Sequence, residues 1–196
     1  SLVLNDESLI FLESLAAKGA AQKTQIRKIS NFFSEENRPE IFRQEKSRAK
    51  SFKTIFVGGL ALQKGIKEII EIAACLPHIE FLLIGHAVSD TQALLNQPPP
   101  NIKIIGSLSQ EAVFVHLAQA DVFLFPSHKE SFGTAVLEAM ACGLPVIATK
   151  VGAIPEMIDE KLGGFVLDIG NVEGMLECLK NLEADRNLCL KMFKNG

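Results

Sequence analysis

The pattern of apolar and polar positions changes character near residue 52. Before it, one amphipathic helix is legible: Leu9, Ile10, Leu12, Leu15 and Ala16 recur at helical spacing between Glu7 and Lys18, with Gly19 placed to close it. A short strand over 25–29 follows, and residues 31–51, polar and interrupted by Pro39, read as a linker with a helical turn or two. From Phe52 onward the pattern is regular. Strand-length apolar runs at 53–57, 80–84, 102–105, 121–125, 145–148 and 164–167 alternate with helical stretches at 64–75, 88–96, 109–119, 132–142, 153–159, 171–182 and 185–193. Pro98-Pro99-Pro100 marks a turn before the third strand. The runs do not alternate apolar with polar, as befits strands covered on both faces. The expected fold class is therefore α/β: an open parallel sheet of about six strands with helices on both faces. Such sheets bind ligands beyond the carboxyl ends of their strands, which singles out the loops 58–64, 85–89, 106–109, 126–133 and 149–155.

Composition narrows the function classes. At 196 residues and 47% apolar, the chain has the length for one domain with an appendage and the material for a sizeable core. Twenty Lys and Arg against 23 Asp and Glu give a net charge of −3, with no dense basic stripe, so nucleic acid is not an expected partner. The charge is uneven: residues 1–53 carry 10 cations against 7 acids, leaving 10 against 16 downstream. No apolar run approaches the ~20 residues of a membrane span, and no secretory leader opens the chain. A start at Ser1, in mid-pattern, reads as a fragment of a longer protein. The four cysteines (Cys75, Cys142, Cys178 and Cys189) lie at neither zinc nor redox spacing, and are expected as buried, reduced thiols of a cytoplasmic protein, those at 75, 142 and 178 in apolar helical settings.

Candidate chemistry concentrates in PSHKESFGTAVLEAMACGLPVIAT, residues 126–149. The helix that starts near Phe132 or Gly133 is apolar almost all round and should be buried; only Thr134 and Glu138 interrupt it, four residues apart on one face. A carboxylate on a buried helix needs a partner. Glu138 either faces solvent or a lysine, or meets ligand hydroxyls. Glu130 and Ser131 lie just ahead of the helix, whose first amides, at Phe132, Gly133 and Thr134, form a positive terminus suited to phosphate, or simply a tight strand-to-helix turn.

The second stretch is FVGGLALQKG, residues 56–65, where Gly58 and Gly59 follow the first core strand and Lys64 opens the next helix. It lacks both the Gly-Lys-Ser/Thr of a P-loop and the G-x-G-x-x-G of a dinucleotide site. Neither a P-loop NTPase nor a typical NAD domain is expected.

These segments, with LLIGHA (82–87), NIKIIGSLS (101–109), ADVFLFPS (120–127), the spacing from Glu130 to Glu138 and VGAIPE (151–156), occur in the order found in retaining glycosyltransferases of family 4, the group 1 glycosyltransferases. The chain resembles the C-terminal, donor-binding half of their two-domain GT-B fold over roughly 52–182; NFFS (31–34) resembles the family's interdomain linker. The resemblance implies a Rossmann-like donor domain at 52–196 and, at 1–51, the tail of an acceptor domain plus linker. It implies transfer of a hexose from a nucleoside diphosphate sugar (UDP or GDP) to a glycan or lipid-linked acceptor in polysaccharide or glycoconjugate synthesis, with retention. The acceptor would be held by an N-terminal domain, without which this half would be inactive, and the whole would be cytoplasmic or peripheral at the inner membrane face.

Carried over by position, the resemblance implies that Glu138 holds the ribose hydroxyls, Glu130 faces the donor sugar, Phe132, Gly133 and Thr134 offer amides to sugar and diphosphate, and Lys64 neutralises the leaving diphosphate. The backbone of Gly106, Ser107 and Leu108 would meet the base. No cofactor or metal is expected. Where the family commonly has arginine in the glycine loop, this chain has Gly59. That departure keeps two alternatives open: a nucleotide-sugar-binding or regulatory module without catalysis, and a sugar-nucleotide epimerase of the same fold.

Overall fold

A computed structural model describes residues 51–158 and 164–185. Its elements are β1 (Lys53–Val57), α1 (Ile66–Cys75), β2 (Glu80–Ile84), α2 (Gln92–Leu95), β3 (Ile102–Gly106), α3 (Gln110–Gln119), β4 (Val122–Phe125), α4 (Thr134–Ala141), β5 (Val146–Thr149), α5 (Ile154–Met157), β6 (Gly164–Leu167) and α6 (Val172–Ala184). The six strands form one parallel sheet in the order β3-β2-β1-β4-β5-β6. Neighbours follow sequence outward from β1 on one side and from β4 on the other. The order reverses between β1 and β4, and that gap is the crevice in which sheets of this topology bind ligands.

The apolar runs explain the sheet's position in the molecule. Every residue of β4 (VFLF) and β5 (VIAT) is buried, as are Thr54, Ile55 and Phe56 of β1. Phe56 stacks on Phe125 at 6.0 Å between ring centroids, and Phe123 on Phe125 at 5.9 Å, so the central strands are joined by an aromatic row. The edge strand β3 buries only Ile102 and leaves Ile104 and Ile105 about 40% exposed. Asp121 closes the opposite end of the β1–β4 pair: its Oδ2 accepts from the Lys53 amide at 2.8 Å and its own amide donates to the Lys53 carbonyl.

Helix α1 buries Ile66, Ile69, Ile72 and Ala73 and exposes the Lys67–Glu71 pair, an i,i+4 contact at 3.8 Å. It packs against α6, which buries Met175, Leu179 and Leu182. The carbonyls around the end of α1 are collected by one side chain: Asn101 Nδ2 lies 2.9–3.0 Å from the carbonyl oxygens of Ala73, Leu76 and Ile79. Asn101→Ala leaves part-buried carbonyls without their donor and is expected to cost about 1–3 kcal/mol, read as a lowered midpoint in urea denaturation with an unchanged slope.

Several boundaries differ from those expected. The helix read at 64–75 begins only at Ile66, behind a 3₁₀ turn at Leu62–Lys64, because Gly65 adopts left-handed backbone (φ 77°). The helix read at 132–142 begins at Thr134 for the same reason, with Gly133 at φ 84°. The stretch 88–96 forms only the four-residue α2, because Thr91 turns its hydroxyl onto the carbonyls of Leu60 and Val88 and so competes with helix. Helix α6 runs two residues past 182, to Ala184. Cys75 is exposed at the end of α1, contrary to its expected burial; Cys142 is buried and Cys178 half-buried, and burial, then Glu177, pushes the Cys178 thiol up. The helix at 7–18, the strand at 25–29, nearly all of the linker at 31–51, Cys189 and, apart from Asp185, the helix at 185–193 lie outside the described residues.

Candidate functional site

The switch point is built by two loops that touch. After β1, residues 58–61 continue the ladder with the loop after β2: the amides of Gly58 and Leu60 donate to the carbonyls of Ile84 and His86. The chain then turns through Leu62–Lys64 and enters α1 at Gly65, where a side chain would collide with the Pro126 carbonyl. Only glycine allows both this backbone angle and this approach, and the loop after β4 is thereby seated on the start of α1.

That seat is cross-linked by side chains. Lys64 Nζ lies 2.6 Å from Glu130 Oε2, with both side chains about 20% exposed. The Glu130 Oε1 accepts from the Ser131 amide at 3.0 Å, so both carboxylate oxygens are held. Lys64 Nζ also sits 5.9 Å above the Phe125 ring, which keeps its stem over the aromatic row. The buried Ser127 hydroxyl is within 3.0 and 3.3 Å of the Lys129 and Gln63 carbonyls, and the His128 amide donates to Gln63 at 2.9 Å. Thr149, at the end of β5, donates its hydroxyl to the Ser127 carbonyl. A further pair joins the same two elements: His128 Nε2 and Glu68 Oε1 are 2.7 Å apart.

Behind Glu130, Gly133 caps α4 in left-handed backbone, and a side chain there would strike Ile154. The helix therefore starts abruptly, with its first amides at the carboxyl end of β4. One turn on, Glu138 Oε1 accepts from Gln110 Nε2 at 3.1 Å. Neither a lysine nor solvent alone accounts for that carboxylate; its partner is the first residue of α3. The contact ties α4 to the start of α3, two residues after the loop Gly106-Ser107-Leu108, whose Gly106 carbonyl accepts from Gly85. The expectation that α4 is buried all round fails, because only Val136 and Ala139 are buried and Leu137, Glu138 and Met140 are intermediate.

The residues singled out in the sequence thus fall into two groups on one edge. Lys64, Glu130, Ser131 and Gly133 meet at the switch point, while Gly106, Ser107, Leu108 and Glu138 are linked through Gln110. Thr134 and Ser131 are exposed and Phe132 half-buried between the groups. Gly58 lies in the extended β1 ladder beside Gly59, where an added β-carbon meets nothing within 4 Å. Sequence reasoning missed Gln63, Glu68, Ser127 and Thr149 as the parts that join the loops, and Gln110 as the partner of Glu138. For Glu68 a signal existed: it stands four residues before the buried Ile72, on a helix whose inward positions are otherwise apolar.

Chemically, the crevice offers a lysine and a helix N-terminus to anionic oxygens and two carboxylates to hydroxyls, which suits a ligand with a phosphate centre and polyhydroxyl ends. Among the described residues no group of three or more His, Cys, Asp or Glu side chains is arranged to hold a metal ion, and no helix is long and apolar enough to cross a membrane.

Comparison with known proteins agrees in fold and family. Residues 37–196 match the family model described as glycosyl transferases group 1. The sulfoquinovosyl transferase SQD2 of Arabidopsis thaliana is 30% identical over 186 residues, 89% of this chain but 36% of that protein, so the chain spans little more than a third of this curated relative. The solved C-terminal domain of a glycosyl transferase group 1 family protein, LpcC of Francisella tularensis, superposes with a TM-score of 0.65 at 27% identity, covering 84% of this chain and 91% of that one. Anabaena HepE, solved in complex with UDP-glucose, shares the fold with a TM-score of 0.68 at 24% identity, over 75% of this chain and 43% of its own.

Proposed function

The chain belongs to the group 1 glycosyl transferases, and from that premise we propose that residues 52–196 are the donor-binding domain of a transferase that moves a hexose from a nucleoside diphosphate sugar to a glycan or lipid-linked acceptor, with retention. Residues 1–51 are then the end of the acceptor-binding part and its linker, and turnover requires that part. The observation that carries this reading is the Lys64–Glu130 pair across the switch point, at the mouth of α4. Lys64 and the first amides of α4 receive the diphosphate and stabilise it as it departs. Glu130 faces the sugar, and Glu138, with one oxygen on Gln110, takes the ribose hydroxyls with the other. The backbone of Gly106, Ser107 and Leu108 meets the base. HepE was solved with UDP-glucose, which supports a nucleotide-sugar donor of this kind. Metal is not required by this scheme, since the positive groups are supplied by the chain.

Calorimetry of the chain against UDP, GDP and ADP and their hexose conjugates tests the reading directly: one base should bind clearly more tightly than the others, and Glu138→Gln should weaken that nucleotide about three- to tenfold. No saturable binding to any of them would sink the proposal.

Gly59 favours a second reading, a binding module with little catalysis, because the space over it is open where a cation would face the diphosphate. The same openness makes the repair feasible. Gly59→Arg should tighten nucleoside diphosphate binding about tenfold, toward the lower end of a charge-assisted hydrogen bond because the site is exposed. Restored transfer in the full-length protein would assign the native chain to the module class, whereas native activity would rule that class out.

A further inference from the structure

Glu68 is the least expected charge in the domain. It is 9% exposed on the inward side of α1, among Ile66, Ile69 and Ile72, and its Oε2 has no hydrogen-bond partner among the described residues. A leucine would fit that helix face without any desolvation penalty, and replacing buried charges by apolar groups is often neutral or stabilising. What Glu68 does have is His128 Nε2 at 2.7 Å, reaching over from the loop after β4 with its side chain 40% exposed.

This contact stands beside the Lys64–Glu130 pair with its polarity reversed. On the α1 side a cation at 64 is followed one turn later by an anion at 68; on the loop side a basic ring at 128 is followed by an anion at 130. Each loop group meets a complementary hydrogen-bonding group, and a slip of the loop along α1 brings Glu130 toward Glu68 and His128 toward Lys64. The backbone bond from the His128 amide to Gln63 pins the loop at one point; the ring of the same residue supplies the second point that fixes its direction. Lys129, the remaining ionisable group of this loop, is exposed between the two pairs.

We propose that Glu68 and His128 are positioning residues: together they set where the Glu130 carboxylate stands relative to Lys64, and so determine how the site grips the sugar half of its donor while leaving its hold on the diphosphate nearly unchanged. The inference rests on the donor-binding reading above, in which Glu130 meets the sugar. It adds two residues that touch no part of the ligand.

The test compares free diphosphate with the sugar conjugate, using UDP and UDP-glucose, or GDP and GDP-mannose if the wild-type chain prefers guanosine. Glu68→Leu should weaken the sugar nucleotide at least tenfold and change affinity for the free diphosphate less than threefold in either direction, with a melting temperature equal to or above wild type. Glu68→Gln, which keeps an acceptor for the ring and serves if the leucine variant fails to fold, should lose about threefold on the sugar nucleotide alone. The exchanged pair Glu68→His with His128→Glu should recover most of the loss. A shifted melting temperature with unchanged affinity for the sugar nucleotide makes the pair structural only and overturns the proposal, as does an equal loss for both ligands. A wild-type chain that binds neither ligand overturns the donor-binding reading itself, which separates the two failures.

Discussion

Glu130→Gln is expected to tighten free nucleoside diphosphate several-fold while lowering sugar transfer by the full-length protein about a hundredfold or more. The two effects have opposite signs because the carboxylate does two things. Without ligand it neutralises Lys64 at 2.6 Å, so an incoming diphosphate must displace one anion from the lysine before it gains the cation. Removing the charge leaves the ammonium available and removes like-charge repulsion against the phosphates. Both side chains are only about 20% exposed, so the competition is screened less than at the surface, and a gain of about 1 kcal/mol, roughly fivefold, is a reasonable scale. Transfer falls because the neutral amide no longer accepts hydrogen bonds from the donor sugar as a charged group does, at a point where one well-placed group is worth about 10²–10³ in rate. Calorimetry with UDP or GDP reads the first effect and initial rates with donor and acceptor read the second. Weaker diphosphate binding in the variant would mean that Glu130 supports Lys64 instead of competing for it.

The contrast between Glu130 and Glu68 shows what a linear chain reveals. Glu130 was legible because it ends a polar loop between an apolar strand and an apolar helix, so its place at a strand end follows from period and topology alone. The sheet itself was legible for the same reason: runs such as VFLF and VIAT lack alternation and can only be doubly covered. Glu68 was legible only as an odd polar position on an apolar helix face; its role was not, because its partner His128 lies 60 positions away and nothing local joins the two. Helix starts were also missed at Gly65 and Gly133, where periodicity continues straight through the glycine. The stop there is a left-handed backbone at positions where Pro126 and Ile154 leave no room for a side chain, a tertiary constraint that periodicity does not carry.

Glu138 shows the middle case. Its spacing from Glu130 and its place on α4 marked it as a group in need of a partner, and the structure supplies Gln110. The polar residue was foreseen, but the identity of its neighbour depends on how α3 and α4 are set at the sheet's carboxyl edge. Hydrogen bonding by Gln110 occupies one oxygen and orients the carboxylate, so that, on the donor-binding reading proposed above, a ribose would meet an acceptor already oriented. Such preorganisation reduces the ordering cost of binding.

Lys64→Ala should have the largest effect on the site: a loss of about 30- to 100-fold in nucleoside diphosphate affinity, with affinity for the bare nucleoside unchanged, and about a thousandfold loss in transfer. A charge-assisted contact to phosphate is worth about 1.5–3 kcal/mol, and the rate falls further because negative charge on the diphosphate grows as the sugar leaves, so the lysine matters more in the transition state than in the ground state. The binding loss is made worse by what remains. With the ammonium gone, Glu130 keeps its charge at the mouth of α4 and repels the phosphates that the helix terminus attracts. The double variant Lys64→Ala with Glu130→Gln should therefore bind diphosphate more tightly than Lys64→Ala alone, even though it has lost one more side chain of the site. The interaction energy from the double-mutant cycle measures the coupling of the pair. If the double variant binds diphosphate no more tightly than Lys64→Ala alone, or if the nucleoside is lost along with the diphosphate, Lys64 acts through the fold of the 62–65 turn and not through charge on the phosphates.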